Sequence, residues 1–141
     1  MKKRDLLARY YKEVWEDGDL EKIDNYFNLQ CDTQRLLPDR KIEPDEIREW
    51  VSIIRSFVTN IKVELVNTIE DGDWISAFLV VRSNRIDTGA DVTAHQQIML
   101  RFSGDLKVES YPQFDFLRFF EQIGQLPENT YALLMGGNRL G

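Results

Sequence analysis

The first part of the chain places its hydrophobic residues at helical spacing. Leu6, Tyr10 and Val14 recur every four residues, which predicts a helix that Asp5 caps and Gly18 ends. A short second helix is predicted from four apolar positions: Leu20, Ile23, Tyr26 and Phe27. Periodicity fades over residues 29–43, which we interpret as a long connection or an irregular strand. Two helices joined by a tight turn therefore open the chain.

Pro44 predicts the start of a third helix, because proline suits the first helical turn, where its missing N–H has no partner to lose. This stretch has the clearest amphipathic pattern in the sequence, with apolar residues at spacings of three and four: Ile47, Trp50, Val51, Ile54, Phe57 and Val58. We therefore expect a long helix with one face buried.

Beyond this helix the apolar period changes to about two, which is typical of strands. Residues 61–69 and 74–85 predict a hairpin around Gly72, and residues 92–102 and 106–111 predict a second hairpin around Gly104. A short helix over residues 116–123 and an apolar tail follow. Helices followed by consecutive hairpins predict an α+β fold with a curved, meandering antiparallel sheet around the N-terminal helices.

Composition narrows the classes of function. The chain has 141 residues, which suits one domain, and a net charge of −6 with scattered bases, which argues against nucleic-acid binding. No segment reaches the roughly 20 apolar residues of a membrane span, and no secretory pattern follows the first lysines. One cysteine (Cys31) and one histidine (His95) are too few for a zinc cage. We expect a cytoplasmic protein without a metal or cofactor.

The closing segment carries a series of short signals in a fixed order. They are Arg101-Phe102, a turn at Gly104, Glu109-x-Tyr111, Asp115 and Gln122-Ile123-Gly124, and Gly18-Asp19-Leu20 precedes them near the start. This order resembles SnoaL-like proteins of the nuclear transport factor 2 superfamily. The resemblance implies one cone-shaped domain over residues 1–141, a cystatin-like roll, with residues 128–141 as a C-terminal tail. It also implies a pocket between helices and sheet, and a homodimer.

Asp115 is the candidate catalytic residue that the resemblance implies. In the polyketide cyclases of the family, an aspartate at this position is an acid/base that deprotonates a carbon next to a carbonyl. His95 is the candidate helper, because its unperturbed pKa lies near neutrality. Both residues have structural alternatives. Asp115 directly precedes the last predicted helix, where aspartate is a favoured N-cap, and His95 can face solvent on its strand.

Aromatic and amide side chains are the candidate ligand contacts. We expect these residues to line the pocket: Tyr11, Trp15, Trp50, Phe78, Gln97, Tyr111 and Gln113. Aromatic residues at helical or strand spacing also form ordinary hydrophobic cores. Two functions follow: a cyclase or isomerase acting on an apolar or polycyclic carbonyl compound, and a non-catalytic module that binds a small apolar or aromatic molecule or dimerises.

Overall fold

The computed structural model describes residues 2–33 and 44–141. Its helices are α1 (Lys3–Tyr10), which continues as a π-helix over Tyr11–Glu16, a 3₁₀ helix (Leu20–Asn25), α2 (Pro44–Phe57), α3 (Phe116–Gln122) and α4 (Thr130–Met135). Its strands are β1 (Phe27–Thr33), β2 (Val58–Asp71), β3 (Trp74–Arg85), β4 (Asp91–Ser103) and β5 (Leu106–Phe114). They form one sheet in the order β1-β5-β4-β3-β2, with the helices against its inner face.

Strand alternation decides which side chains face the helices. In β4, residues of one parity are buried and their neighbours are exposed over most of the strand. The four long antiparallel strands pair in chain order, with register shifts between β2 and β3 and between β4 and β5, so the alternation is less regular in β2 and β5 than in β4. Gly72 and Gly104 have positive φ values of 57° and 59°, which the two hairpin turns require. The predicted α+β fold with a curved antiparallel sheet is confirmed.

The N-terminal helix differs from its prediction. Its N-cap is Lys2, so Asp5 lies inside the first turn and does not cap the helix. The second half, Tyr11–Glu16, takes the wider π spacing. The Arg55 guanidinium donates hydrogen bonds to the carbonyl oxygens of Trp15 (2.6 Å) and Glu16 (3.1 Å). These bonds satisfy carbonyls that the end of the helix leaves without intrahelical partners.

The predicted connection over residues 29–43 contains a strand in its first part. β1 runs through Thr33 and pairs with β5 in parallel, at the edge of the sheet. Residues 34–43 lie outside the described part of the chain. The sequence does alternate apolar and polar residues over Phe27, Leu29 and Cys31, but the stretch is short, and Phe27 also continues the apolar spacing of the predicted second helix.

The core divides into two hydrophobic clusters along the sheet. The larger one joins α1 and α2 to the middle of β3 and β4, and includes Leu7, Val51 and Leu79, all fully buried. The smaller one joins the end of α2 to α3 and includes Ile54 and Phe119. Trp15 packs against both clusters, so it lies where they meet. The helices and the sheet leave small cavities at this junction.

Candidate functional site in the cone

An apolar cavity lies between the N-terminal helices and the inner face of the sheet. The space that the centre of a water-sized sphere can occupy in it is about 20 Å³, which is room for about one water molecule. Its walls come from every layer of the fold: Tyr11, Trp15, Trp50, Ile54, Val58, Ile61, Val63, Val81, Ser83, Val92, Ala94, Gln96, Phe114 and Phe119. A larger ligand must therefore displace side chains that fill the cone.

Tyr11 and Gln96 form a buried polar pair on the cavity wall. The Tyr11 hydroxyl donates a hydrogen bond of 3.1 Å to Gln96 Oε1, and the two residues are only 3% and 6% exposed. Burial raises the pKa of the Tyr11 hydroxyl well above its usual range, so the group stays neutral and keeps its proton. The pair gives a mostly apolar wall, which also includes Ser83, a tyrosine hydroxyl and an amide.

The π-helix places two residues of this wall. Tyr11 begins it and Trp15 lies one turn later, and both line the cavity. Trp15 packs edge to face against Trp50 of α2, with ring centroids 5.3 Å apart and an interplanar angle of 85°. π-helical turns are rare and are frequently found at functional sites. Three predicted ligand contacts, Tyr11, Trp15 and Trp50, are therefore together in the cone.

A second cavity of about 20 Å³ adjoins the first and shares four of its residues: Tyr11, Trp15, Trp50 and Gln96. Its remaining walls include Tyr10, Ile47, Ile98, Lys107, Ser110 and Pro112. Lys107 is 1% exposed, and its Nζ lies 3.0 Å from the centroid of the Tyr10 ring and 4.7 Å from that of Phe27. The second cavity thus adds a buried lysine to the site.

The other predicted contacts lie on the opposite, outer face of the sheet. Phe78, His95, Gln97, Gln113 and Asp115 surround an open groove of about 280 Å³. The His95 ring stacks on Phe78, with centroids 5.6 Å apart and an interplanar angle of 10°. His95 and Gln97 are exposed, since their parity is opposite to that of the buried positions in β4, and the exposed Gln113 of β5 pairs with Gln97.

Asp115 is the N-cap of α3. Its Oδ1 accepts a hydrogen bond of 3.2 Å from the Arg118 backbone N–H, and its own N–H donates to the His95 carbonyl at 3.1 Å. The residue is exposed. The structure therefore brings Asp115 and His95 together, but outside the apolar cavity. Their catalytic roles stay a prediction.

Tyr111 also lies on the outer face, apart from the groove. It stacks on Trp74 at 6.2 Å and donates a hydrogen bond of 2.8 Å to Glu109 Oε2. The other oxygen of Glu109 accepts from Arg101 at 2.8 Å. These contacts tie β3, β4 and β5 together across the outer surface.

Gln96, Ser110 and Lys107 are cavity residues that we did not predict. A signal for Gln96 was present, because it has the same strand parity as the apolar Ala94 and Ile98, and a polar residue on an inward parity is informative. The signal for Lys107 was hidden by a break in pairing register between β4 and β5, next to Phe102.

The fold and its inner cavity define the class of protein. A curved sheet that holds helices in its concave face, with small cavities between them, is a cone-shaped α+β roll. A family model for the SnoaL-like domain matches residues 7–110, and the chain belongs to this family. No curated protein sequence matches the chain at a significant level.

Solved structures with the same fold cover most of the chain. One is a candidate polyketide cyclase from Bacillus cereus (20% identity, TM-score 0.75, covering 86% of this chain and 79% of that one). Another is IdmH, a candidate polyketide cyclase from Streptomyces antibioticus (16% identity, TM-score 0.73, covering 88% of this chain and 99% of that one). A third is a protein with a ketosteroid isomerase-like fold from Catenulispora acidiphila, in complex with trimethylamine (13% identity, TM-score 0.70, covering 92% of this chain and 98% of that one). At these identities the likeness establishes the fold.

Two further findings concern the described ranges, residues 2–33 and 44–141. No helix there is long and apolar enough to cross a membrane. No three His, Cys, Asp or Glu side chains in the same ranges come together as a set that could hold a metal ion.

Proposed function

We propose that this chain binds a small apolar or aromatic carbonyl compound inside the cone, without a cofactor. The buried Tyr11–Gln96 pair carries this proposal. A buried hydroxyl and a buried amide are tolerated in an apolar wall when they are hydrogen-bonded, as Tyr11 and Gln96 are, and they can serve as the few polar groups that orient a ligand. A pocket for a carbonyl compound needs such a donor.

The chemistry of the pair suits a carbonyl oxygen. The raised pKa of Tyr11 keeps its O–H as a neutral donor, which can turn from Gln96 to a ligand oxygen. The Gln96 amide also carries N–H donors that could contact the same ligand oxygen. The indole rings of Trp15 and Trp50 supply flat apolar walls for the rest of the molecule.

Binding of acetophenone and ethylbenzene tests the proposal, because they differ by the carbonyl oxygen. We expect acetophenone to bind more tightly by about tenfold, the value of one hydrogen bond in a dry site. Tyr11→Phe should remove the difference, and Tyr131→Phe, at an exposed tyrosine, should keep it. Amide chemical shifts of β4 locate the ligand. Failure of both compounds to shift inner-face residues refutes the proposal.

A cyclase or isomerase is the second candidate, on the observation that Asp115 and His95 share one groove. An aspartate base would remove a proton from the carbon next to a carbonyl, and the enolate would take a proton back from the same acid. In D₂O this cycle exchanges deuterium into the methyl group of acetophenone, which NMR detects. Asp115→Asn should abolish that exchange while α3 stays capped, because asparagine caps as well as aspartate. Full activity in this variant rules out Asp115 as the base.

We also propose a homodimer through the outer face of the sheet. Ile69, Phe78 and Met99 occupy outward positions there and are 70%, 38% and 45% exposed. Exposed apolar side chains on neighbouring strands favour an interface. Met99→Glu should give a monomer by light scattering. Ile86→Glu, at an exposed isoleucine outside the strands, should leave the dimer intact.

A further inference from the structure

Lys107 is an unusual component of an apolar core. It lies on an inward position of β5, is 1% exposed, and lines the second cavity beside Ser110 and Gln96. Lysine is almost never fully buried unless its ammonium group is compensated. Part of that compensation comes from the Tyr10 and Phe27 rings, which lie within 4.7 Å of Nζ.

Lys107 is also the only lysine, arginine or acidic side chain among the described residues that line the two cavities. An ammonium group has three N–H donors, so a ligand oxygen can add to the contacts that Lys107 already makes. At a buried site, attraction to an anionic oxygen is weakened far less by solvent than at the surface.

We propose that the ligand of the cone is a carboxylate: a small aromatic or aliphatic acid whose carboxylate group contacts Lys107. This inference rests on the proposed function and specifies its ligand. The second cavity would hold the carboxylate between Lys107 and the Ser110 hydroxyl, with Tyr11 as a further donor. The apolar part would extend past Trp15 and Trp50 into the first cavity, since both cavities share these rings.

The arrangement also explains why two cavities meet at the Tyr11–Gln96 pair. One side offers a cation and hydroxyl groups, and the other offers only apolar side chains apart from Ser83 and the shared pair. A molecule with one charged end matches this polarity. A neutral hydrocarbon offers no oxygen atom to the side of the second cavity that Lys107 and Ser110 line.

Benzoate and benzamide are suitable probes, because they share one shape and differ in charge. We expect benzoate to bind wild-type protein at least tenfold more tightly than benzamide, measured by calorimetry at pH 7. In Lys107→Met, which keeps the length of the side chain, the two affinities should become equal within about twofold. Lys62→Met, at an exposed lysine, should preserve the difference.

The outcomes separate this inference from the proposed function. If both probes bind in the cone with equal affinity to wild-type protein, the carboxylate inference is wrong and the pocket proposal stands. If neither binds, both fail. The wild-type comparison needs no variant, so it decides the matter even if Lys107→Met does not fold. A preference for benzoate that survives in a folded Lys107→Met protein would also overturn the role of Lys107.

Discussion

Removal of the Tyr11 hydroxyl should destabilise the fold, although the substitution leaves the ring in place. Tyr11→Phe removes the donor of the 3.1 Å bond to Gln96 Oε1, and both groups are almost completely buried. The Gln96 oxygen would then lack this partner in a dry environment. An unsatisfied buried acceptor costs about 1–3 kcal/mol, more than the bond itself contributes.

The magnitude follows from comparing single and double variants. Gln96→Met keeps the length of the side chain and removes its amide, so it leaves the Tyr11 hydroxyl without this acceptor at a similar cost of about 1–3 kcal/mol. The double variant leaves neither group unsatisfied, and its cost should be close to that of one single variant or less. The expected coupling energy is therefore about 1–2 kcal/mol.

Urea denaturation of the four proteins, followed by circular dichroism, measures this cycle. Matching m-values are the control, because they show that the variants expose the same surface on unfolding. If the two single costs add to within about 0.5 kcal/mol, the residues are not coupled and the reasoning about the buried pair is wrong. A double variant that is as stable as wild-type protein but no longer prefers acetophenone would show that the pair is kept for binding.

Three further predictions concern other elements. Burial raises the pKa of Tyr10 in the folded state, so above pH 10 this residue should lower stability by about 1.4 kcal/mol per pH unit; Tyr10→Phe should reduce the slope in urea titrations by that amount and leave the loss that the buried Tyr11 causes. Gly18→Ala should cost about 1–3 kcal/mol, because φ is 71° and a Cβ would lie 2.6 Å from a guanidinium, whereas Gly72→Ala, with open space, should lose less. Glu121→Gln should weaken the hydrogen bond that the buried Glu121 carboxylate accepts from the Tyr131 backbone N–H of α4, and also its ion pair with Arg118. The Tyr131 amide should then exchange faster with D₂O.

Sequence patterns predicted the elements whose signals are long and regular. β3 has the predicted bounds because a long apolar run follows the turn at Gly72, and α2 begins at the predicted proline because its apolar positions keep a helical spacing along the element. The predicted N-cap of α1, Asp5, was wrong. The helix begins at Lys3 with Lys2 as its N-cap, because a favourable capping residue does not by itself determine where a helix begins. β1 lies in the stretch that we interpreted as a long connection or an irregular strand, and its parallel pairing with β5 leaves little trace in so short a segment.

The candidate site was predicted in part. Trp15 and Trp50 are together in the cone, whereas the predicted amide residues, Gln97 on β4 and Gln113 on β5, lie on the outer face. Gln96 and Gln97 are neighbours with opposite orientations, and the choice between them depends on which face the helices cover. Lys107 could not have been predicted, because a lysine in a strand is usually exposed and only the register shift beside it turns it inward.

The π-helix lets the inner site tolerate a change in the length of the chain. A π turn accommodates more residues per turn than an α turn, so deleting one residue between Tyr11 and Trp15 would allow regular α-helix to form there. Tyr11 and Trp15 would then be three positions apart, and residues at that spacing in an α-helix are neighbours on one face. The extra residue of the π turn can therefore be gained or lost while both rings keep facing the cavity.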